Sequence, residues 1–400
     1  MAAFSASSSP GTSNAIPPRH HGAGSGVEAT LLGDYEKGTE RALLIKNIPY
    51  GGASFARTCF NGLNALSGVG VLSIPYALSE GGWLSVAWLI VIAAACCYTG
   101  LLLQRCMNSG PYLQSYPDIG ESAFCLSGRI TISVVIYLEL YLVSTGFLIL
   151  EGNNLDKLFP TPLFTLLAAL VILPTTWLRS LGALAYFSLE GVGLGYSGRL
   201  CPLGRAFDQI GFHERGKLIN FGGLPTSLGL YAFCYCGHAV FPALCTSMRD
   251  RTQFPKALSV CFLLCTLNYT FMAVIGYLMY GEGIKSQVNS TFQSKISSPK
   301  SQFIPHCSMF GYLMALIGSF LSVAASLLLP CVCYLKIFGL GDQSRLQLAV
   351  IMGILVMGVL VGVTGTTLPC ARSPLIFEAS FSCWTNCAGR SPGFILILFL

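Results

Sequence analysis

The chain has 400 residues, of which 53% are hydrophobic and only 10% charged, with a mean hydropathy of +0.64 and a formal charge of +6. Soluble domains carry about 25% charged residues, so this composition excludes an ordinary water-soluble globule. The 23 Lys and Arg sit mostly between apolar runs rather than in a block, so no nucleic-acid surface is expected.

Residues 1–50 begin rich in Ser, Gly and Pro, include His20 and His21, and lack an apolar signal-peptide core; they read as a disordered cytosolic tail. A spanning helix needs about 20 apolar residues to cross the hydrocarbon. Eight runs meet that pattern, with soft ends, at 54–78, 83–104, 130–150, 163–178, 223–248, 257–280, 308–335 and 346–369. A ninth, 181–197, carries Glu190 and several glycines, which makes it a poor spanning helix. The expectation is an all-α integral membrane protein of eight or nine transmembrane helices, with the membrane domain at 51–369 and a divergent tail at 370–400. Whether 181–197 crosses stays open. The Lys and Arg asymmetry between loops is weak if it crosses and stronger if it does not, whereas the Asn289-Ser290-Thr291 sequon is luminal only if it does. A second sequon, Asn268-Tyr269-Thr270, lies inside an apolar run and is expected to be silent.

The 17 cysteines lie largely inside apolar runs, where a thiol behaves as a small hydrophobe. Cys234/Cys236 and Cys331/Cys333 lack the spacing and companion ligands of a zinc site, so no metal or other cofactor is expected.

Two of the runs contain residues that a helix built only for packing avoids. The first, from Asn61 to Trp83, places Ser67, Gly68, Val69 and Gly70 in mid-span and Pro75 a turn later, with Asn61, Asn64 and Gly68 sharing one face. The second, from Leu224 to Met248, carries Gly237 beside His238, with Tyr231, Tyr235, His238 and Pro242 on a single helical face. Backbone freed at membrane depth is tolerated only where it is buried in protein or lines a wet cavity. Each run therefore reads either as a small-residue packing seam with a kink or as half of a binding site. Paired discontinuous helices can hold a carboxylate on bare helix N-termini and an ammonium on carbonyls, which suits an amino acid. Asn64, Ser67, Gly68, Val69, Gly70, Tyr231, Tyr235, Gly237 and His238 are the candidate substrate-binding residues. Glu139, mid-way along the third run, is costly there unless protonated or paired; it is the candidate proton-coupling group, or a structural hydrogen-bonding one, with Tyr137, Tyr141 and Ser144 on the face opposite.

The strings SFARTCFNGLNALSGVGVLSIPYALSEGGW at 54–83, YLELYLVSTGFLILEGNNL at 137–155, GLYAFCYCGHAVFPALCTSM at 229–248 and SLLLPCVCYLKI at 326–337 resemble the plant vacuolar type of the amino acid/auxin permease family. The resemblance implies a LeuT-like bundle of inverted repeats, substrate between the first and sixth helices, proton-driven amino acid transport and a vacuolar membrane location, with the plasma membrane as the alternative. Three stretches depart from the family pattern, at 187–207, 286–305 and 367–400. The second is a short polar loop where the pattern has two further helices, so the bundle is expected to be incomplete. A transporter of neutral amino acids is the first expectation; a non-transporting amino-acid sensor or inactive variant is the second. No enzyme motif survives inspection, since HERGK at 213–217 lacks the second His of a zincin and GYSG at 195–198 is not a nucleophile elbow.

Overall fold

The computed structural model describes residues 52–67, 70–155, 216–281, 284, 306–341 and 343–372. The expected runs at 163–178 and 181–197, the sequon at Asn289 and the tail at 1–50 lie outside them, as do Gly68 and Val69.

The described residues are helical apart from connections and one isolated backbone bridge. The helices are α1 (Phe55–Leu66), α2 (Gly70–Gly81), α3 (Ser85–Asn108), α4 (Tyr116–Leu155), α5 (Leu224–Cys234), α6 (Phe241–Ser247), α7 (Phe254–Tyr280), α8 (His306–Ile317), α9 (Leu329–Phe338) and α10 (Arg345–Arg372). Five stretches among the described residues are long and apolar enough to cross a membrane: Ser85–Asn108, Tyr116–Gly146, Arg251–Met279, Leu313–Phe338 and Arg345–Thr366. Helix α10 continues through Arg372, a little past the boundary expected at 369.

Two elements depart from simple helices for local reasons. Helix α4 is two helices joined at Phe124 and Cys125, where Cys125 takes a φ of 56°. The arms fold close enough that Gly120 and Gly128 touch, leaving no room for a Cβ on either, and Arg129 pairs across the kink with Asp118 and Glu121. The expected run at 130–150 is thus the long second arm. Between α8 and α9 the chain widens into two π turns, Gly318–Ser322 and Ala324–Leu328. Such widenings are rare overall and frequent at functional sites, and here a Cβ on Gly318 would strike the Gly229 carbonyl of α5.

The expected interruptions fall where helix stops. Ser67 ends α1, its N–H capping Leu63, and helix resumes at Gly70 as α2; α5 stops at Cys234 and α6 starts at Phe241. The two broken helices run antiparallel. Ahead of α1, Ala53 N–H donates to the Ser247 carbonyl at the end of α6 (3.2 Å), and Arg249 N–H donates back to Ala53 (3.0 Å). At the other end Asn220, just before α5, donates to the Gly81 carbonyl that closes α2 (3.2 Å). The segment 217–220 also pairs with the turn after α2, Trp83 N–H donating to Lys217 and Leu84 N–H to Leu218. Gly82 supplies the φ of +78° that this turn needs and lies against that backbone, which a side chain would push away.

Candidate functional site

The antiparallel arrangement forces the two breaks to meet. Gly70, the first residue of α2, lies so close to Cys234, the last of α5, that an added Cβ would sit 3.1 Å from both Cα and Cβ of Cys234. Gly237, inside the second break, lies against Leu66, the last residue of α1. Two helix C-termini (Leu66 and Cys234) and two helix N-termini (Gly70 and Phe241) therefore converge. The last carbonyls of a helix and its first N–H groups lack intrahelical partners, and the macrodipole makes the first set partially negative and the second partially positive. One locus thus offers both signs without a charged side chain.

The candidate side chains divide at this point. Ser67 Oγ lies 3.6 Å from Cys265 Sγ of α7. Asn64, on the last turns of α1, has a buried side-chain nitrogen with no hydrogen-bond partner among the described residues. The shared face expected for Tyr231, Tyr235, His238 and Pro242 does not exist, because the helical wheel ends with α5 at Cys234. Tyr231, in the helix, sends its hydroxyl to Ser85 of α3 (2.9 Å), whose own proton goes to the Gly82 carbonyl (2.7 Å). Tyr235, in the break, donates to Thr266 of α7 (3.0 Å). His238 turns toward α3: Thr99 Oγ1 donates to the carbonyls of its own helix, so it accepts from His238 Nε2–H at 2.9 Å. The imidazole stacks on Phe241 with centroids 4.8 Å apart, and its buried Nδ1 has no partner among the described residues. These three residues brace the second break against α3 and α7.

Glu139 is turned inward and only 6% exposed, while Tyr137 on its flank is 73% exposed and Tyr141 and Ser144 also face outward or are half-buried. The carboxyl accepts from Ser322 Oγ in the first π turn (2.6 Å), and the Cys236 thiol of the second break lies beside it. A buried carboxyl, a widened helix and an unwound helix thus meet at one point.

Sequence reasoning missed the α7 face that touches both breaks. Tyr269, fully buried, donates its hydroxyl to the Leu66 carbonyl and lies 3.3 Å from the Cys234 carbonyl. Its position in an apolar run, as the middle of a silent sequon, gives no hint of that reach.

Residues 51–301, more than half of the chain, match the family model described as transmembrane amino acid transporter protein. The chain belongs to that family. It is 43% identical to the amino acid transporter AVT1I of Arabidopsis thaliana, over 79% of this chain and 94% of that protein. It is 39% identical to the amino acid transporter AVT1J of the same plant, over 82% of this chain and 93% of that protein. Family and relatives are transporters, not enzymes.

These alignments also expose a shortfall. The first spans 383 positions but draws on 79% of 400 residues, about 316, so about 67 positions of the relative face gaps within this chain. The second spans 394 positions and draws on 82%, about 328, leaving about 66. A loss of that size leaves room for the two helices expected to be missing, at some 20 residues each, together with connections.

Proposed function

We propose that this member of the transmembrane amino acid transporter family is a secondary active, proton-coupled transporter of neutral amino acids, built as a LeuT-like inverted-repeat bundle in the vacuolar membrane. The observation that carries the reading is the meeting of the two breaks. An amino acid is a zwitterion, and the N–H groups at the starts of α2 and α6, where Pro242 supplies none, suit its carboxylate while the carbonyls ending α1 and α5 suit its ammonium. With Glu139 protonated the two breaks carry no fixed charge, which favours substrates whose own charges cancel and is the basis for preferring neutral amino acids. The unpartnered nitrogen of Asn64 is a further donor beside the same locus.

Glu139 is the proton carrier in this reading. It is buried next to the second break and bonded to a π turn, so a change in its protonation alters a bond between two elements that must move relative to one another during alternating access. Vacuolar placement rests on likeness to the plant vacuolar type.

The internal shortfall of about 67 positions favours a second reading, in which the amino acid still binds but turnover is lost and the chain acts as a sensor or an inactive variant. Proteoliposomes given a pH gradient and a labelled neutral amino acid separate the two. Accumulation that collapses with a protonophore supports the transporter; saturable binding without accumulation supports the sensor; neither binding nor uptake defeats both.

A further inference from the structure

We infer that Tyr269 is a positioning residue for this site: a single hydroxyl on α7 serves as a shared C-cap for both broken helices and sets the spacing of the breaks. The inference rests on the transporter reading only for its kinetic consequence, not for its structural one.

Three residues of α7 carry it. Cys265 touches Ser67 in the first break at 3.6 Å, Thr266 accepts from Tyr235 in the second at 3.0 Å, and Tyr269, one turn on from Cys265, reaches both. Residues at i, i+1 and i+4 lie on one side of a helix, so α7 presents a continuous polar strip to both interruptions. Tyr269 is held by its neighbours as well as by its bonds, since its ring meets Tyr235 edge-on with centroids 5.5 Å apart.

The need for such a group follows from the helix ends. Leu66 and Cys234 are C-terminal residues whose carbonyls have no following turn to accept from, and both ends carry partial negative charge, so they repel when brought together. The carbonyls of Ala232 and Phe233 are taken by the N–H groups of Tyr235 and Cys236 as the chain tightens, which leaves Cys234 for Tyr269. The bond to Leu66 is the tighter of the two, so the hydroxyl proton belongs mainly to the first break and draws the second toward it. Removing the hydroxyl leaves two buried like ends facing one another without a donor. They separate, and a ligand that must touch both breaks meets a looser site and loses preorganisation.

The test is Tyr269→Phe in the purified full-length chain, beside Tyr334→Phe, which removes a buried hydroxyl bonded to Gln343 and Gln347 away from both breaks. By hydrogen exchange, peptides covering Leu66 and Cys234 should both exchange at least about fivefold faster in Tyr269→Phe and be unmoved in Tyr334→Phe. Thr266→Val, which frees Tyr235 alone, should speed only the Cys234 peptide. In uptake assays Tyr269→Phe should raise KM about fivefold with kcat within about twofold of the parent. Unchanged exchange at either peptide, or acceleration spread over the whole chain, overturns the shared cap. If Tyr269→Phe does not fold, the Thr266→Val result decides, equal acceleration of both peptides being the refuting outcome. Failure of the parent chain to transport defeats the transport reading and leaves the exchange result to stand or fall alone.

Discussion

Gly70→Ala is the sharpest perturbation of the junction between the breaks. Even with Cys234 Sγ, 2.5 Å from the new methyl carbon, rotated aside, that carbon would lie 3.1 Å from both Cα and Cβ of Cys234, whereas carbon atoms pack best at about 3.5–4.0 Å. The start of α2 must therefore retreat from the end of α5 by about half an ångström, because one of the two opposing atoms belongs to the backbone and cannot rotate aside. Overpacking of this kind costs about 1–3 kcal/mol, and each 1.4 kcal/mol or so charged against the bound state lowers affinity about tenfold. Uptake at low substrate should fall at least about tenfold while the protein still reaches the membrane, and thermal unfolding in detergent should fall only modestly. Adding Cys234→Gly removes the opposing Cβ and Sγ but leaves the backbone in place, so the double variant should recover part of the loss and show coupling between the sites. Parent-like uptake in Gly70→Ala, or no recovery in the double variant, would refute the claim that this close approach sets the site.

Two further outcomes follow from the same geometry. Glu139→Gln keeps a partner for Ser322 but cannot titrate, so uptake measured across a pH series should lose its slope; a profile parallel to the parent returns Glu139 to a structural role. His238→Ala deletes the bond to Thr99 and the stack on Phe241 and should cost about 2–4 kcal/mol of stability, against about 1 kcal/mol for Thr99→Val. A non-additive double variant in thermal unfolding confirms the bridge to α3, and strict additivity rejects it.

How far the site was legible in the sequence depends on the kind of signal. The breaks were legible because Gly70 and Gly237, at the resumption of α2 and inside the second interruption, oppose helix by their own backbone preferences; Pro75, counted with them in the sequence, sits inside α2 without ending it. Glu139 was legible because a carboxyl in an apolar run demands a partner, although Ser322 as that partner was not. The directions of Tyr231, Tyr235 and His238 were not legible, since 100° per residue describes a continuous helix and these residues straddle the point where the helix ends. Tyr269 was hidden for a related reason: a tyrosine in a long apolar helix has the same local pattern whether it faces lipid or caps two carbonyls. The kink at Phe124–Cys125 and the two π turns likewise depend on the close approach of distant glycines, Gly120 to Gly128 and Gly229 to Gly318, rather than on any local run.

The central claim is that the two helix breaks together grip a zwitterion. A density map of the purified chain saturated with a neutral amino acid that it binds tests this directly. The account predicts ligand density between Leu66–Gly70 and Cys234–Phe241, with the carboxylate toward the starts of α2 and α6 and the ammonium toward the carbonyls of Leu66 and Cys234. Ligand bound elsewhere, or either segment wound into unbroken helix with the ligand present, would contradict it.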